Sequence, residues 1–220
     1  MARIAEELLL LLLDNASARP GLERVRRERV LSAAVLLDLA HTCRIRPAMN
    51  NEPVGAGRLV VLNGPGPVDP VTVPALDLLL RHPLSPANAI AKLRRRIPAA
   101  LLQHLEHTGQ VRQVQLRTKG FRRSYAWPLT DRARVAPARA MMLSALFDNH
   151  RPDPITASII SLLYTVDGLG ALLSLNDRGR EWVRNRAGEI ASGSWINESD
   201  PELPEFNLAV TTAAVRHALQ

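Results

Sequence analysis

The sequence predicts a mainly α-helical fold, a single helical-bundle domain over residues 1–220 with a protruding β-hairpin. Aromatic residues make up only 4% of the chain. The core must therefore be filled by Leu, Val, Ile and Ala, whereas strands are enriched in aromatic and β-branched residues. Two long apolar runs, at 8–13 and 30–40, suit buried helices better than strands. A chain of this size needs neither metal nor disulfide to stabilise its core.

The two apolar runs belong to the first two predicted helices. The first helix covers residues 4–13, and Glu6 and Glu7 precede its leucines where a signal peptide would be basic. This run is also much shorter than the ~20 residues of a membrane span. The second helix covers residues 22–42 and changes from charged to apolar at Val30, so its charged end reaches the surface. We expect both apolar runs to lie in the core.

Turn formers and prolines divide the rest of the chain. The glycines of the loop at 63–70 are not followed by Lys-Ser or Lys-Thr, which favours a structural turn over a phosphate-binding loop. Pro98 suits a first helical turn and separates predicted segments at 86–97 and 98–107. Alternating residues predict a β-hairpin over 111–127. The other predicted elements are strands at 44–46 and 58–62 and helices at 73–81, 132–147, 153–174, 178–191 and 202–218.

Positive charge is concentrated in one part of the chain. The whole chain has a net charge of +7, yet residues 81–130 carry ten cations and one acid, Glu106. The remainder is therefore slightly acidic, which indicates one basic face. Such a face predicts a polyanionic partner, either nucleic acid or an anionic membrane.

Two groups of residues on this face, together with a third group on the second predicted helix, are candidates for binding phosphate or a membrane. Guanidinium groups hold phosphate oxygens in a bidentate manner. An aromatic side chain flanked by cations suits a membrane interface. The predicted headgroup-binding residues are Lys92, Arg94, Arg95 and Arg96, with Arg26, Arg27 and Arg29 as a second wall of a shallow site. The predicted membrane-contacting hairpin residues are Lys119, Phe121, Arg122 and Arg123.

No motif in the sequence indicates catalysis, so we predict no enzyme activity, no catalytic residue and no cofactor. Nucleophile elbow, Walker and dinucleotide motifs are missing from the sequence. His104 and His107 share a helix face, but no nearby Cys, His or Asp completes a metal site. The single cysteine, Cys43, excludes an intrachain disulfide and a cysteine zinc cluster. Glu6 and Glu7 stand at a helix start, where their charges suit the N-terminal dipole.

Several segments, taken in order, resemble the Golgi phosphoprotein 3 family and especially its actinobacterial members. The order of the segments carries the resemblance, which spans nearly the whole chain. The segments are AEELLLLLLDN, VLLDLAHTCRI, RLVVLNGPGPVD, KLRRRIPAALLQHLEHTGQV, YAWPLTD and DPITASIISLLYTVDGL.

The resemblance implies a mainly helical bundle with a protruding hairpin. Eukaryotic members of the family bind phosphatidylinositol 4-phosphate on Golgi membranes and act as adaptors for glycosyltransferase sorting. For this chain the resemblance implies a non-catalytic adaptor that binds anionic phospholipid, with a protein client as a further partner. We expect a cytoplasmic protein associated peripherally with the inner face of the membrane.

The family's headgroup pocket uses a tryptophan and an arginine near the second helix and two cations before the hairpin. Alignment on VLLDLA puts Glu23 near the tryptophan position and Ser32 at the arginine position. Alignment on the glycine before the hairpin puts Arg95 at one later cation and Pro98 at the other. Of these four residues, Arg95 matches. Our hypothesis is that Arg29, together with Arg94 or Arg96, compensates for the departures.

Nucleic acid, an acidic protein partner for the basic face and a second copy of the chain also remain open at this stage. A cationic helix followed by a leucine-rich helix and a basic hairpin is also typical of a winged-helix protein that binds nucleic acid. Few Asn, Gln or Ser residues are available there to contact base edges, so this is the alternative prediction. The hairpin is further predicted to pair edge to edge in self-association.

Overall fold

The computed structural model describes residues 3–116, 124–173, 176–196 and 203–220, and this part of the chain is mainly α-helical, as predicted. Two short 3-10 turns, Arg132–Arg134 and Leu169–Ala171, accompany the helices. The helices are α1 Arg3–Leu13, α2 Arg24–His41, α3 Val73–Arg81, α4 Pro86–Leu93, α5 Ile97–His107, α6 Ala136–Phe147, α7 Pro154–Thr165, α8 Asp177–Ala191 and α9 Leu203–Leu219. The strands are β1 Ile45–Pro47, β2 Leu59–Val61, β3 Val114–Leu116 and β4 Ser124–Ala126.

Helix α2 lies at the centre of the fold. It packs against α1, α4, α5, α7 and α9, and every residue from Val30 to Ala40 is buried. The leucines at 8–13 of α1 are likewise buried, which confirms that both apolar runs form the core. Each buried leucine contributes about 1.5–3 kcal/mol, so these two helices hold much of the hydrophobic stabilisation.

Acidic N-caps and prolines determine where several helices begin. The carboxylate of Glu23 accepts hydrogen bonds from the backbone N–H groups of Val25 (3.0 Å) and Arg26 (3.2 Å) at the start of α2. Asp153 caps α7 in the same way. Proline occupies the first turn of α3, α4, α5, α6 and α7, where its missing N–H has no cost and its fixed φ suits the helix.

A buried carboxylate from α2 caps the N-terminus of α1. The two carboxylate oxygens of Asp38 accept hydrogen bonds from the N–H groups of Ile4 (2.9 Å) and Ala5 (3.0 Å). Burial raises the pKa of Asp38 well above its usual range, although these two N–H donors oppose the rise. Glu6 and Glu7 were predicted to serve the helix dipole. Both are buried side chains, and burial raises the pKa of each.

Helix α7 is shorter than predicted. The apolar pattern at 153–174 predicted one helix, and this is wrong, because α7 ends at Thr165. Asp167 adopts a positive φ of 51° and donates its N–H to the carbonyl of Tyr164 (3.1 Å). The N–H of Gly168 reaches the carbonyl of Leu163 (2.7 Å). This pair of bonds is a Schellman ending, which reverses the chain after the helix.

The loop at 63–70 is a structural turn, as the sequence predicted. Strands β1 and β2 pair antiparallel on one side of it. The buried Arg44 side chain donates to the carbonyl of Pro65 (2.9 Å) and to that of Gly66, so it holds the loop against the end of α2. None of the described helices is long and apolar enough to cross a membrane.

Candidate headgroup-binding surface

The predicted cluster Lys92–Arg96, which we call the cationic turn, joins α4 to α5. The break between the two helices lies at 94–96, earlier than predicted, and Pro98 falls in the first turn of α5. The N–H of Arg94 bonds to the carbonyl of Ile90, and the N–H of Arg96 bonds to that of Leu93, both at 2.9 Å. The turn therefore has a defined backbone conformation.

Buried side chains on both sides orient the cationic turn outwards. Leu93 ends α4 and Ile97 begins α5, and both lie in the core. Lys92, Arg95 and Arg96 are exposed, and Arg94 is half-buried. Leu93 and Ile97 thus fix the two ends of the turn in the core, and the three arginines between them form a basic surface.

The cations of this turn are not paired with acids in the part of the chain that the structure describes. Within the described ranges, no ion pair or side-chain hydrogen bond involves Lys92, Arg94, Arg95 or Arg96. The turn also leads into the N-terminus of α5, where Arg96 occupies the N-cap position without a side-chain cap. The helix dipole adds partial positive charge at this end. The local potential therefore favours an anion.

The arginines predicted as the second wall of the site, Arg26, Arg27 and Arg29, have different surroundings. Arg26 is exposed. A guanidinium nitrogen of Arg27 donates to the carbonyl of Leu22 (3.3 Å), and burial lowers the pKa of Arg27. Arg27 therefore stabilises the start of α2 itself, and Arg29 bonds to another helix, as the next paragraph describes.

Arg29 ties the start of α2 to the end of α9. Its Nη2 donates to the carbonyls of Leu219 (2.7 Å) and Ala218 (3.2 Å). Carbonyl groups in the last turn of a helix receive no hydrogen bond from the helix itself, and the helix dipole favours a cation at this end. The guanidinium of Arg29 is accordingly a cap for α9 in this structure.

The positions where this chain departs from the family pattern have structural roles. Glu23 caps α2, as described above. Ser32 is fully buried, and its hydroxyl donates to the carbonyl of Glu28 (2.9 Å). Pro98 starts α5. None of the three presents a cation, so the basic character of this region comes from other residues.

The predicted hairpin forms next to the turn between α1 and α2. Strands β3 and β4 pair antiparallel from Val114–Ala126 to Leu116–Ser124. The N–H of Trp127 donates to the carbonyl of Ala18 (2.7 Å), which fixes the base of the hairpin. The predicted membrane-contacting residues Lys119, Phe121, Arg122 and Arg123 lie outside the described residues.

The histidine pair of α5 does not form a metal site with other described residues. The Nε2 atom of His104 lies 3.2 Å from a carboxylate oxygen of the buried Glu6, and this contact joins α5 to α1. His107 is exposed. No local pattern predicts the Glu6–His104 contact, because the two residues lie on helices far apart in the chain.

The fold and the surface define a class of protein: a helical bundle with a small antiparallel hairpin and an exposed cationic turn before it. The family model of Golgi phosphoprotein 3 (GPP34) matches residues 4–212 of the 220 residues. The chain belongs to this family. No curated protein matches the chain.

Proposed function

We propose that this chain is a non-catalytic peripheral membrane protein that binds anionic phospholipid headgroups through the cationic turn. The observation that carries the proposal is the basic group Lys92, Arg94, Arg95 and Arg96, which has no acidic partner among the described residues. Three of its members are exposed and Arg94 is half-buried. Membership of the Golgi phosphoprotein 3 family supports interaction with lipid or protein in general. By family resemblance, the headgroup is of the phosphatidylinositol 4-phosphate type.

The energetics of the cationic turn suit reversible binding. Each cation close to an anionic membrane contributes ~1 kcal/mol, so four cations supply on the order of 4 kcal/mol. Arginine adds bidentate hydrogen bonds to phosphate oxygens, and the anchored turn limits the conformational entropy that binding costs. An attraction of this size is screened by salt, since the turn is at the surface.

Selectivity for one headgroup is proposed to be modest. In this chain Glu23, Ser32 and Pro98 stand where the family pattern has other residues, and each has a structural role here. Recognition then depends on the arginines of the cationic turn, with Arg26 as the exposed residue of the second wall. We expect a general preference for anionic lipid with a smaller additional preference for the phosphoinositide.

The proposed function includes a protein partner as well as the membrane. An adaptor role implies a protein client, and the hairpin is proposed to contact the membrane or to mediate self-association. A location on the cytoplasmic, inner face of the membrane follows from the same family resemblance.

Liposome co-sedimentation of the unmodified protein tests this function. The vesicles are neutral, anionic with phosphatidylserine, or doped with phosphatidylinositol 4-phosphate, and each is measured at low and physiological salt. Binding to anionic but not neutral vesicles, with little displacement by duplex DNA, supports the proposal. Failure to bind any vesicle, together with tight and salt-sensitive binding of the DNA, overturns it in favour of a nucleic-acid partner.

A further inference from the structure

An apolar groove lies between α9 and the segment that contains β1, from Cys43 to Met49. Its volume is about 430 Å³. The large apolar residues at its rim are unusually exposed. The fraction of the residue surface that is accessible to solvent is 59% for Met49, 51% for Phe206 and 41% for Val210. The residues that line the groove are Cys43, Arg46, Pro47, Ala48, Met49, Leu62, Leu203, Phe206, Asn207 and Val210.

Helix α9 has two apolar faces. One face packs in the core through buried residues such as Leu208 and Val215. The other presents Leu203, Phe206 and Val210, spaced three and four residues apart, so that they form one stripe along the groove. An apolar stripe on the outside of a helix is an indication of a binding surface.

The polar side chains of the groove are already bonded within the protein. The side-chain nitrogen of Asn207 donates to the carbonyls of Ala40 (2.6 Å) and Ile45 (2.9 Å). Arg46 forms a two-fold ion pair with Glu52, with one N–O distance of 2.8 Å. The hydrogen bonds from Arg46 lower the pKa of Glu52 to about 2, so the pair stays charged at any ordinary pH.

Such a lining selects against polar ligands. A sugar, a nucleotide or a charged peptide would lose its hydrogen bonds to water on entering and would find few new partners in the wall. Water held against this wall would likewise find few hydrogen-bond partners, and its displacement by an apolar group is favourable. The chemistry of the wall therefore matches hydrocarbon.

We propose that the groove between β1 and α9 binds a single hydrocarbon chain, the acyl or alkyl part of an amphiphile. Its volume of about 430 Å³ lies within the range of small-molecule sites, about 300–1,000 Å³. Because water takes about 30 Å³ in the liquid, and a methylene group is of similar size, the groove holds roughly a dozen methylenes. The polar end of the amphiphile then lies at the open mouth.

The groove and the proposed headgroup surface are built by different elements. Helix α9 and the segment around β1 form the groove, whereas the cationic turn joins α4 to α5. An alkyl probe with an uncharged head is not attracted by the cationic turn and therefore tests the groove alone.

Protection of Cys43 from alkylation provides the test. Cys43 lines the groove and is the only cysteine of the 220 residues, so N-ethylmaleimide labels one site. Burial raises the pKa of this thiol, and labelling is therefore compared at one fixed pH. Dodecanol is the probe. At ten times its Kd, only the empty fraction of the protein reacts, so we expect labelling to slow about tenfold.

A pair of variants connects the protection to the groove. Val210→Glu places a charge in the groove and is expected to remove the protection by dodecanol. Leu80→Glu is the matched control, since Leu80 is 61% exposed on α3 and does not line the groove. This control is expected to keep the tenfold protection. Circular dichroism establishes that both variants are folded.

Three results would overturn the proposal. The first is an alkylation rate that dodecanol does not change in the unmodified protein. The second is equal protection in Val210→Glu and Leu80→Glu. The third is a labelling rate that, without any probe, decreases as the protein concentration increases. This result would show that a second copy of the chain occupies the groove. Vesicle binding by the cationic turn would be unaffected by all three.

Discussion

The two arginine groups proposed for headgroup binding have similar composition and different surroundings. On α2, Arg27 and Arg29 donate to backbone carbonyls, and acidic residues such as Glu28 are interspersed with them. In the cationic turn, the arginines are flanked by buried apolar residues and have no acidic partner within the described part of the chain.

Whether an arginine stabilises the fold or remains available to a partner therefore depends on its neighbours. A guanidinium that bonds to the carbonyl end of a helix stabilises the fold, and its charge is partly offset there. A guanidinium that lies at the surface between two buried apolar residues has no such internal bond, so its charge is available to bind an anionic partner. We therefore expect the two groups to separate in experiments that measure membrane binding and stability in parallel.

The largest effect is expected from replacing Arg94, Arg95 and Arg96 by alanine together. Three cations at ~1 kcal/mol each correspond to a loss on the order of a hundredfold in the partition coefficient on anionic vesicles. The melting temperature should stay close to that of the unmodified protein, because these side chains form no hydrogen bond or ion pair within the described part of the chain. Co-sedimentation and thermal denaturation measure the two quantities. A drop in melting temperature as large as the loss of binding would show that the turn is structural.

The opposite outcome is expected for Arg29→Ala. This change removes charged hydrogen bonds to the carbonyls of Ala218 and Leu219, and the free energy of unfolding should fall by about 2 kcal/mol. Vesicle binding of the folded protein should change little. Urea denaturation gives the first quantity and co-sedimentation the second. A variant that loses vesicle binding at unchanged stability would place Arg29 in the headgroup site.

Buried and exposed acids differ in the same way as the two arginine groups, and a buried acid makes the free energy of unfolding depend on pH. Burial raises the pKa of Glu7 in the folded state. The folded protein then binds this proton more readily than the unfolded chain, so the contribution of Glu7 to stability falls as pH rises through the raised pKa. Glu7→Gln should increase the free energy of unfolding at pH 8, and the gain should vanish towards pH 4.

Urea denaturation across this pH range measures the effect of Glu7→Gln. The exposed Glu181 on α8 provides the control variant, Glu181→Gln, which should show a much smaller pH-dependent gain. A gain for Glu7→Gln that is the same at pH 4 and pH 8 would refute electrostatic burial as the cause.

The smallest effect is expected for Arg26→Ala. Arg26 is the exposed member of the α2 group, so its loss should weaken vesicle binding by less than about 1 kcal/mol, or fivefold. Stability should be unchanged. An effect as large as that of the triple change in the cationic turn would make α2 a principal wall of the headgroup site.

Local patterns predicted much of the fold. The apolar runs gave α1 and α2, and Pro98 with its apolar flanks gave the division between α4 and α5 to within a few residues. The end of α7 was missed because it depends on the positive φ of Asp167 and on hydrogen bonds that hydrophobic periodicity does not encode. The apolar stripe of α9 was present in the sequence, but its exposure was not.

The family, the helical class and the position of the cationic turn were all predictable from the sequence of this protein. These features depend on composition and on residues close together in the chain. The three-dimensional fold was needed to show that Arg29 caps a helix end 190 positions away, that Asp38 caps α1, and that Phe206 borders a groove. Such contacts form between distant segments when the core buries its apolar faces, and no local pattern records them.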